Sequence, residues 1–179
     1  MYPVIRLAWQ LFKHRNDAPL PLTGTHASRH YCLPWDIDLW RELNNGRTLT
    51  LYDMGRITLA GRVGLLPVLK RKRWGLTMAG AAVRYRRRIR MFEAFEMRSR
   101  AIGWDSRFMY LEQSMWKLSG ECAGHVVYRG AVTGKSGIVS PDEVMAALGH
   151  VEPSPALPDW VVAWLAAEDM RPWPPMQGD

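Results

Sequence analysis

The sequence predicts an α+β fold in which an antiparallel β-sheet wraps around one long helix. A glycine-bearing segment from about residue 46 to residue 63 has helical periodicity. Four strand-like segments follow it, at about residues 75–88, 92–104, 107–118 and 123–135. Two short turns, Asp105-Ser106 and Gly120-Glu121, separate the last three segments, so these strands should run antiparallel. The chain lacks the regular strand-helix alternation of a doubly wound sheet.

Residues 2–15 predict a short amphipathic helix. Its polar side carries Arg6, Gln10 and Lys13, and the remaining residues are mostly apolar or aromatic. The helix is too short to cross a bilayer, and Arg6 interrupts any signal-peptide core. Two explanations stay open: the helix docks on its own domain or a second copy, or it lies on an anionic membrane surface. A proline- and glycine-containing linker, residues 18–24, follows it.

The next elements lead into the long helix. We expect a first strand from Ser28 to Leu33 and then a loop, residues 34–38. Asn44 or Asn45 suits the helix N-cap, because its side-chain oxygen can accept a bond from an unpaired amide of the first turn.

The glycines of this helix need a compensating interaction. Gly55, Gly61 and Gly64 each weaken a helix by about 1 kcal/mol relative to alanine. We therefore expect close packing of the helix against the sheet. Pro67 should end any continuation of the helix, and residues 70–73 should form a basic connector.

The C-terminal part predicts two further helices. Ser140 should cap a short helix that ends at Leu148, and residues 159–168 should form another. The expected organisation has an N-terminal helix and linker, a main domain and a C-terminal extension. Their boundaries are residues 1–24, 25–150 and 151–179.

Composition limits the function classes. A chain of 179 residues normally forms one domain, and its charge of +7 favours an anionic partner. The two cysteines, Cys32 and Cys122, have no redox or disulfide-scaffold spacing, which favours a reduced, cytoplasmic protein. The histidines are scattered, so we expect no metal site.

The strongest chemical signal lies where the loop meets the long helix. A helix start presents unpaired N–H groups and a partial positive charge, which suit a polarised carbonyl or an oxyanion. Asp38 lies just upstream of this start. A carboxylate near such amides could activate water or attack a carbonyl directly.

These residues resemble hotdog-fold thioesterases of the 4-hydroxybenzoyl-CoA type, and among them the THEM6-like branch. An Asp-x-Asp run followed by a pair of asparagines carries the resemblance, as do residues 100–113 of the central hairpin. The positions that match are Asp38, Asn44, Asn45, Arg47, Leu49, Asp53 and Arg56. The likeness covers about residues 28–148. It implies a hotdog fold, hydrolysis of an acyl-CoA or acyl-carrier-protein thioester, and at least a homodimer, with a tetramer as the alternative.

The resemblance also implies roles for single residues. Asp38 would be the base or nucleophile, Asp53 an auxiliary acid, and Asn45 a further catalytic candidate. Oxyanion or substrate binding would fall to Asn44, Gly46, Arg47, Thr48 and Glu42. Structural alternatives remain: Asp38 could cap its loop, Asp53 could pair with Arg56, and the asparagines could be helix caps.

Two departures from the family pattern concern the pocket. Glu42 stands where the family usually has histidine, and Thr48 stands where it usually has an aromatic residue. They support a second hypothesis, a non-catalytic protein that binds acyl thioesters or lipids and contacts a membrane through residues 2–15. No cofactor is expected under either hypothesis, since coenzyme A would be part of the substrate.

Alternating arginines mark the segment after residue 83. Arg84, Arg86, Arg88 and Arg90 would share one face of a strand. A solvated sheet face is the simplest explanation, and the phosphates of coenzyme A are the next, with Arg84, Arg86 and Arg88 as the contacts. Nucleic acid is a third explanation that we do not expect, because the nearby aromatic residues are spaced for a sheet core as readily as for stacking on bases.

Overall fold

A computed structural model describes residues 2–176. The helices are α1 Val4–Lys13, α2 Asn45–Arg62, α3 Leu65–Lys72, α4 Pro141–Leu148 and α5 Asp159–Asp169. The strands are β1 His26–Tyr31, β2 Gly75–Tyr85, β3 Ala94–Trp104, β4 Met109–Lys117, β5 Cys122–Gly134 and β6 Gly137–Val139. A short 3-10 turn, Pro34–Asp36, precedes α2. Within the described residues, no helix combines the length and the apolar character that crossing a membrane requires.

The strands form one antiparallel sheet in the order β1-β3-β4-β5-β2, and β6 pairs with β5. The predicted turns at residues 105–106 and 120–121 join β3 to β4 and β4 to β5. Strand β2 does not pair with the next strand in sequence; it lies at the edge, against β5. The curled sheet with α2 on its inner face is the predicted α+β hotdog architecture.

Helix α2 approaches the sheet most closely at Gly55. A Cβ atom at this position would lie 2.4 Å from Ser99 Oγ and 2.6 Å from Met97 Sδ. Beside it, the buried Gln113 side chain donates from Nε2 to the Tyr52 carbonyl of α2 at 2.9 Å and to Ser99 Oγ at 2.7 Å. The expected close packing is therefore present at Gly55. The other two glycines have different roles, since Gly61 has ordinary space around it and Gly64 lies beyond α2 with a φ of +79°.

The outer face of the sheet is partly covered by α5. The buried Val161 of α5 packs in a cluster with Ile102, Tyr110 and Val127 of β3, β4 and β5. Thus each face of the sheet buries one apolar layer, with α2 on the inner side and α5 on the outer side.

Two local predictions are wrong. Pro67 does not end the helical region, because it lies in the first turn of α3, where a proline removes no intrahelical hydrogen bond. The arginine series does not share one strand face, since β2 ends at Tyr85. From there, the amides of Arg86 and Arg87 both donate to the Ala123 carbonyl.

Helix α1 docks on the domain through polar side chains. Arg6 donates from Nη1 to Asp36 Oδ2 at 2.5 Å and from Nη2 to the Tyr31 carbonyl at 2.7 Å. The buried Asp36 carboxylate also accepts a bond from Arg47 Nε at 2.7 Å and from the Leu33 amide at 3.0 Å. One carboxylate thus links α1, the loop after β1 and the first turn of α2.

Replacing Gly55 by alanine tests the close approach. Because the added methyl group meets Ser99 and Met97, we expect Gly55→Ala to lower the free energy of unfolding by about 1–3 kcal/mol. Gly61→Ala is the matched control, since its Cβ would lie 3.5 Å from Leu66 Cδ1. The control should gain about 0.5–1 kcal/mol from helix propensity. Urea unfolding measures the free energy of unfolding of both variants. Equal gains for the two variants would contradict the packing argument.

A second variant tests the buried carboxylate. Asp36→Asn removes the charge that balances Arg6 and Arg47, so we expect the free energy of unfolding to fall by about 3 kcal/mol. Asp38→Asn should change it by less than about 0.5 kcal/mol, because an asparagine can make the same turn. Chemical denaturation of both proteins gives the comparison, and similar losses would refute the role assigned to Asp36.

Candidate functional site

The first turn of α2 keeps two of its amides available. Asn44 is the N-cap, and its Oδ1 accepts a bond from the Arg47 amide at 3.0 Å. The Thr48 amide donates to the Asn44 carbonyl at 2.8 Å. A helix provides no internal acceptor for its first two amides, which here belong to Asn45 and Gly46. Among the described residues these two N–H groups have no hydrogen-bond partner, whereas that of Arg47 is bonded to Asn44, so they can receive an oxygen atom.

A polar cleft of about 160 Å³ lies beside this helix start. Its walls come from the α2 start, from the chain after β2 and from β5. Among the predicted residues, it is lined by Glu42, Asn45, Thr48, Arg86 and Arg88. Glu42 pairs with Arg88 at 2.7 Å, and the Tyr85 hydroxyl donates to the Asn45 carbonyl at 3.1 Å. The cleft is therefore basic and sits against the positive end of the helix.

Asp38 lies on the loop before the helix and holds a tight turn. Its Oδ1 accepts bonds from the amides of Trp40 at 2.9 Å and Glu42 at 3.4 Å. Arg41 adopts a left-handed φ of 59° within this turn. In the part of the chain that the structure describes, the hydrogen bonds to the Asp38 side chain all go to Oδ1. The half-buried carboxylate does not line the polar cleft.

An apolar pocket of about 220 Å³ lies farther along α2, between this helix and the inner faces of β2, β4 and β5. Asp53 and Arg56 form an ion pair at its wall. Burial and the Asp53 carboxylate, which accepts a hydrogen bond from Tyr2, raise the Tyr2 pKa to about 12. The Arg56 guanidinium lies 4.5 Å from the centre of the Tyr128 ring. The pocket therefore combines apolar walls with one charge-balanced polar group.

The structure does not bring the predicted residues together in one place. Asn45 and Thr48 line the cleft, Asp53 lines the apolar pocket, and Asp38 lines neither. Arg84 lies apart from both, in a recess that also contains Glu112, His125 and Trp160. The Thr48 hydroxyl donates to the Asn44 carbonyl at 3.1 Å and so completes the helix turn. Their catalytic and binding roles stay predictions.

Three residues near the site were not found from the sequence. Tyr2, just before α1, and Tyr128 of β5 both reach the Asp53–Arg56 pair, and the sequence does not place these segments side by side. Asp36 has the same side chain as Asp38 two residues later, yet Asp36 is the one that is buried and paired. Arg6 predicts an acidic partner for α1, because arginine is rarely buried without one, but it does not distinguish Asp36 from Asp38.

A cluster of two histidines and one aspartate lies away from the cleft and beside the guanidinium of Arg62. His14, Asp17 and His26 place ligand atoms within 4.8 Å of one another. However, Arg62 Nη1 lies 3.1 Å from His26 Nδ1 and 3.7 Å from Asp17 Oδ2, so a guanidinium already supplies the positive charge. Burial, together with the nearby His14 and Arg62, lowers the His26 pKa to about 4 and keeps the ring neutral.

Comparisons with known proteins agree with this architecture. A family model described as the thioesterase-like superfamily matches residues 32–165. Protein THEM6 of Xenopus laevis is 34% identical over 151 residues, which is 83% of this chain and 70% of the relative.

Two solved structures share the fold. A protein from Lactobacillus plantarum, provisionally assigned as an oleoyl thioesterase, aligns with a TM-score of 0.63 at 16% identity over 76% of this chain. This chain spans only 56% of that protein's length. A DHNA-CoA thioesterase from Staphylococcus aureus aligns with a TM-score of 0.60 at 12% identity, covering 82% of this chain and 92% of that one. At such identities the likeness concerns the fold alone. Together with the family match, it leads to one conclusion: this chain belongs to the thioesterase-like superfamily and has its hotdog fold.

Proposed function

We propose that this chain hydrolyses an acyl thioester of coenzyme A, or of acyl carrier protein, to a free acid and a thiol. One observation carries the proposal: α2 begins at Asn45, which lines a basic cleft, and the same helix then borders an apolar pocket. From Thr48 to Asp53 the helix rises by about 7.5 Å, so the two spaces lie close together along one helix. A thioester needs this combination of a polar reaction site and an apolar place for its acyl group.

In the proposed reaction, the Asp38 carboxylate removes a proton from water, and the water oxygen bonds to the thioester carbon. The carbonyl oxygen becomes an oxyanion and accepts hydrogen bonds from the Asn45 and Gly46 amides. Each such donor typically lowers the barrier by about 3 kcal/mol. The C–S bond then breaks, and the leaving thiolate takes the proton held by Asp38. Because Asp38 does not line the cleft, this step requires a shift of the loop towards the substrate, and Oδ2 would take the proton since Oδ1 holds the turn.

Arginines near the cleft support a coenzyme A substrate. Arg86 and Arg88 line the polar cleft, and guanidinium groups bind phosphates through paired hydrogen bonds. Glu42 already pairs with Arg88, which orients its guanidinium. We propose Arg86 and Arg88 as phosphate contacts. Arg84 is a weaker candidate because it lies in a different recess.

We also propose a homodimer in a reduced, cytoplasmic setting. Strand β2 is an edge strand of 11 residues whose partner on one side is missing within the described chain. Exposed apolar residues of β2, Leu76 and Met78, extend from the apolar pocket to the surface. A second copy could pair with this edge and cover both residues. The free thiols Cys32 and Cys122 are consistent with reducing conditions.

A second candidate function is non-catalytic binding of an acyl thioester or lipid. The contacts of the two candidate carboxylates favour it, because both are already engaged within the protein. Asp38 Oδ1 accepts bonds from two loop amides, and Asp53 is paired with Arg56. The apolar pocket would serve equally well for binding without hydrolysis. The two candidates differ in whether a free thiol is released.

Acyl-CoA hydrolysis with substitutions at Asp38 separates these candidates. We expect the wild-type protein to release free thiol, and Asp38→Asn and Asp38→Ala to lower kcat by at least about 100-fold. Asp142→Asn, an exposed acid at the start of α4, is the control and should retain wild-type kcat. Thiol release is followed over acyl groups of increasing length. Undiminished turnover in both Asp38 variants would refute the mechanism, and tight binding without turnover in the wild type would favour the second candidate.

A further inference from the structure

Helix α1 presents its apolar side to solvent. Its polar stripe faces the domain, where Gln10 is buried and Arg6 bonds to Asp36. On the opposite side Ile5 is 86% exposed and Trp9 is 59% exposed. Val4 and Phe12 are exposed on the same side. A helix that only stabilised its own domain would bury this side instead.

A second group of exposed apolar side chains lies on the loop before α2. Leu39 is 95% exposed and Trp40 is 77% exposed, and Trp35 is exposed as well. The Arg6–Asp36 bond connects this loop to α1, because Asp36 is the direct neighbour of Trp35. Tryptophans that pack within a single domain do not remain at such exposure, so this group needs a covering partner.

Charge around these residues favours a lipid bilayer over another protein surface. Lys13 and Arg15 are exposed at the C-terminal end of α1, and Arg41 is exposed next to Trp40. The whole chain carries a charge of +7. Tryptophan and aliphatic residues flanked by lysine and arginine are typical of segments that lie in the interface of an anionic membrane. The only acid within the 3-10 turn, Asp36, is buried and paired.

We propose that the outer side of α1 and the tip of this loop form one docking surface for an anionic lipid bilayer. The surface consists of Val4, Ile5, Trp9, Phe12, Trp35, Leu39 and Trp40. The apolar side chains enter the headgroup region, and the neighbouring basic groups contact lipid phosphates. The Arg6–Asp36 bond fixes the helix so that its apolar side points outward.

This surface has a consequence for substrate choice, which rests on the proposed hydrolysis. Asp38 lies within the docking loop, and α2 begins only a few residues later. Docking would place the polar cleft close to the bilayer, where long-chain acyl thioesters accumulate. The substrate class that follows is a long-chain acyl-CoA taken from a membrane surface.

Vesicle co-sedimentation tests the docking surface without any substrate. Vesicles of phosphatidylcholine with phosphatidylglycerol are compared with vesicles of phosphatidylcholine alone, using the full-length chain. We expect binding to the anionic vesicles that weakens with added salt. Ile5→Ser/Trp9→Ser and Leu39→Ser/Trp40→Ser should each lower the partition coefficient at least 10-fold. Val151→Ser/Trp173→Ser removes two equally exposed apolar residues elsewhere and should leave it unchanged.

The outcomes decide between a membrane and other partners. No binding of the wild type to anionic vesicles, or equal losses in all three double variants, would overturn the proposal. Variants that abolish dimer formation in light scattering while vesicle binding persists would assign this surface to a second copy instead. Thermal unfolding of each serine variant is the control for correct folding. Asp38→Asn should still bind vesicles, so failure of hydrolysis and failure of docking can be told apart.

Discussion

The buried Asp36 carboxylate is the interaction on which the arrangement of the candidate site depends. It accepts charged hydrogen bonds from Arg6 of α1 and Arg47 of α2 and also holds the Leu33 amide. Removing one carboxylate and two partly buried guanidinium groups from water is costly, so such a cluster adds little net stability. Its effect is on geometry. It fixes the entry of α2, the 3-10 turn that precedes Asp38, and the side of α1 that faces solvent.

The close approach at Gly55 has a second effect on the site. Because α2 has no side chain at this position, its backbone can pack closely against β3 and β4. There Ser99 and Gln113 lie beside Gly55, and Gln113 donates a hydrogen bond to the helix backbone. Contacts of α2 with the sheet accordingly involve β1, β3 and β4. Helix α2 also contacts β5, where Arg56 lies against the Tyr128 ring, and farther along it forms one wall of the apolar pocket. The close approach at Gly55 thus sets the position of this wall relative to the sheet.

Local signals in the sequence were enough for the main elements of the fold. The N-cap at Asn44, the turns of the central hairpins and the Ser140 cap act over a few residues, and each lies where predicted. The arginine series failed for a physical reason, since the end of β2 is set by its pairing with β5 and not by its own residues. Long-range contacts could not be predicted from the sequence either. Periodicity showed that α1 has a polar and an apolar side, but it did not show which of the two faces the domain. The sequence also does not tell which of Asp36 and Asp38 is the buried carboxylate, because the partner that decides it, Arg6, is distant in sequence.

The two candidate catalytic acids, Asp38 and Asp53, differ in the partners that their carboxylates have. Asp53 lies beside the apolar pocket, where it forms an ion pair with Arg56. Within residues 2–176, the hydrogen bonds to the Asp38 side chain come from backbone amides and engage one of its two oxygens. A base must accept a proton and release it again in each turnover, which is easier for a carboxylate without a fixed cationic partner. On this argument Asp38 is the stronger candidate for the base, while Asp53 and Arg56 shape the pocket that receives the acyl group.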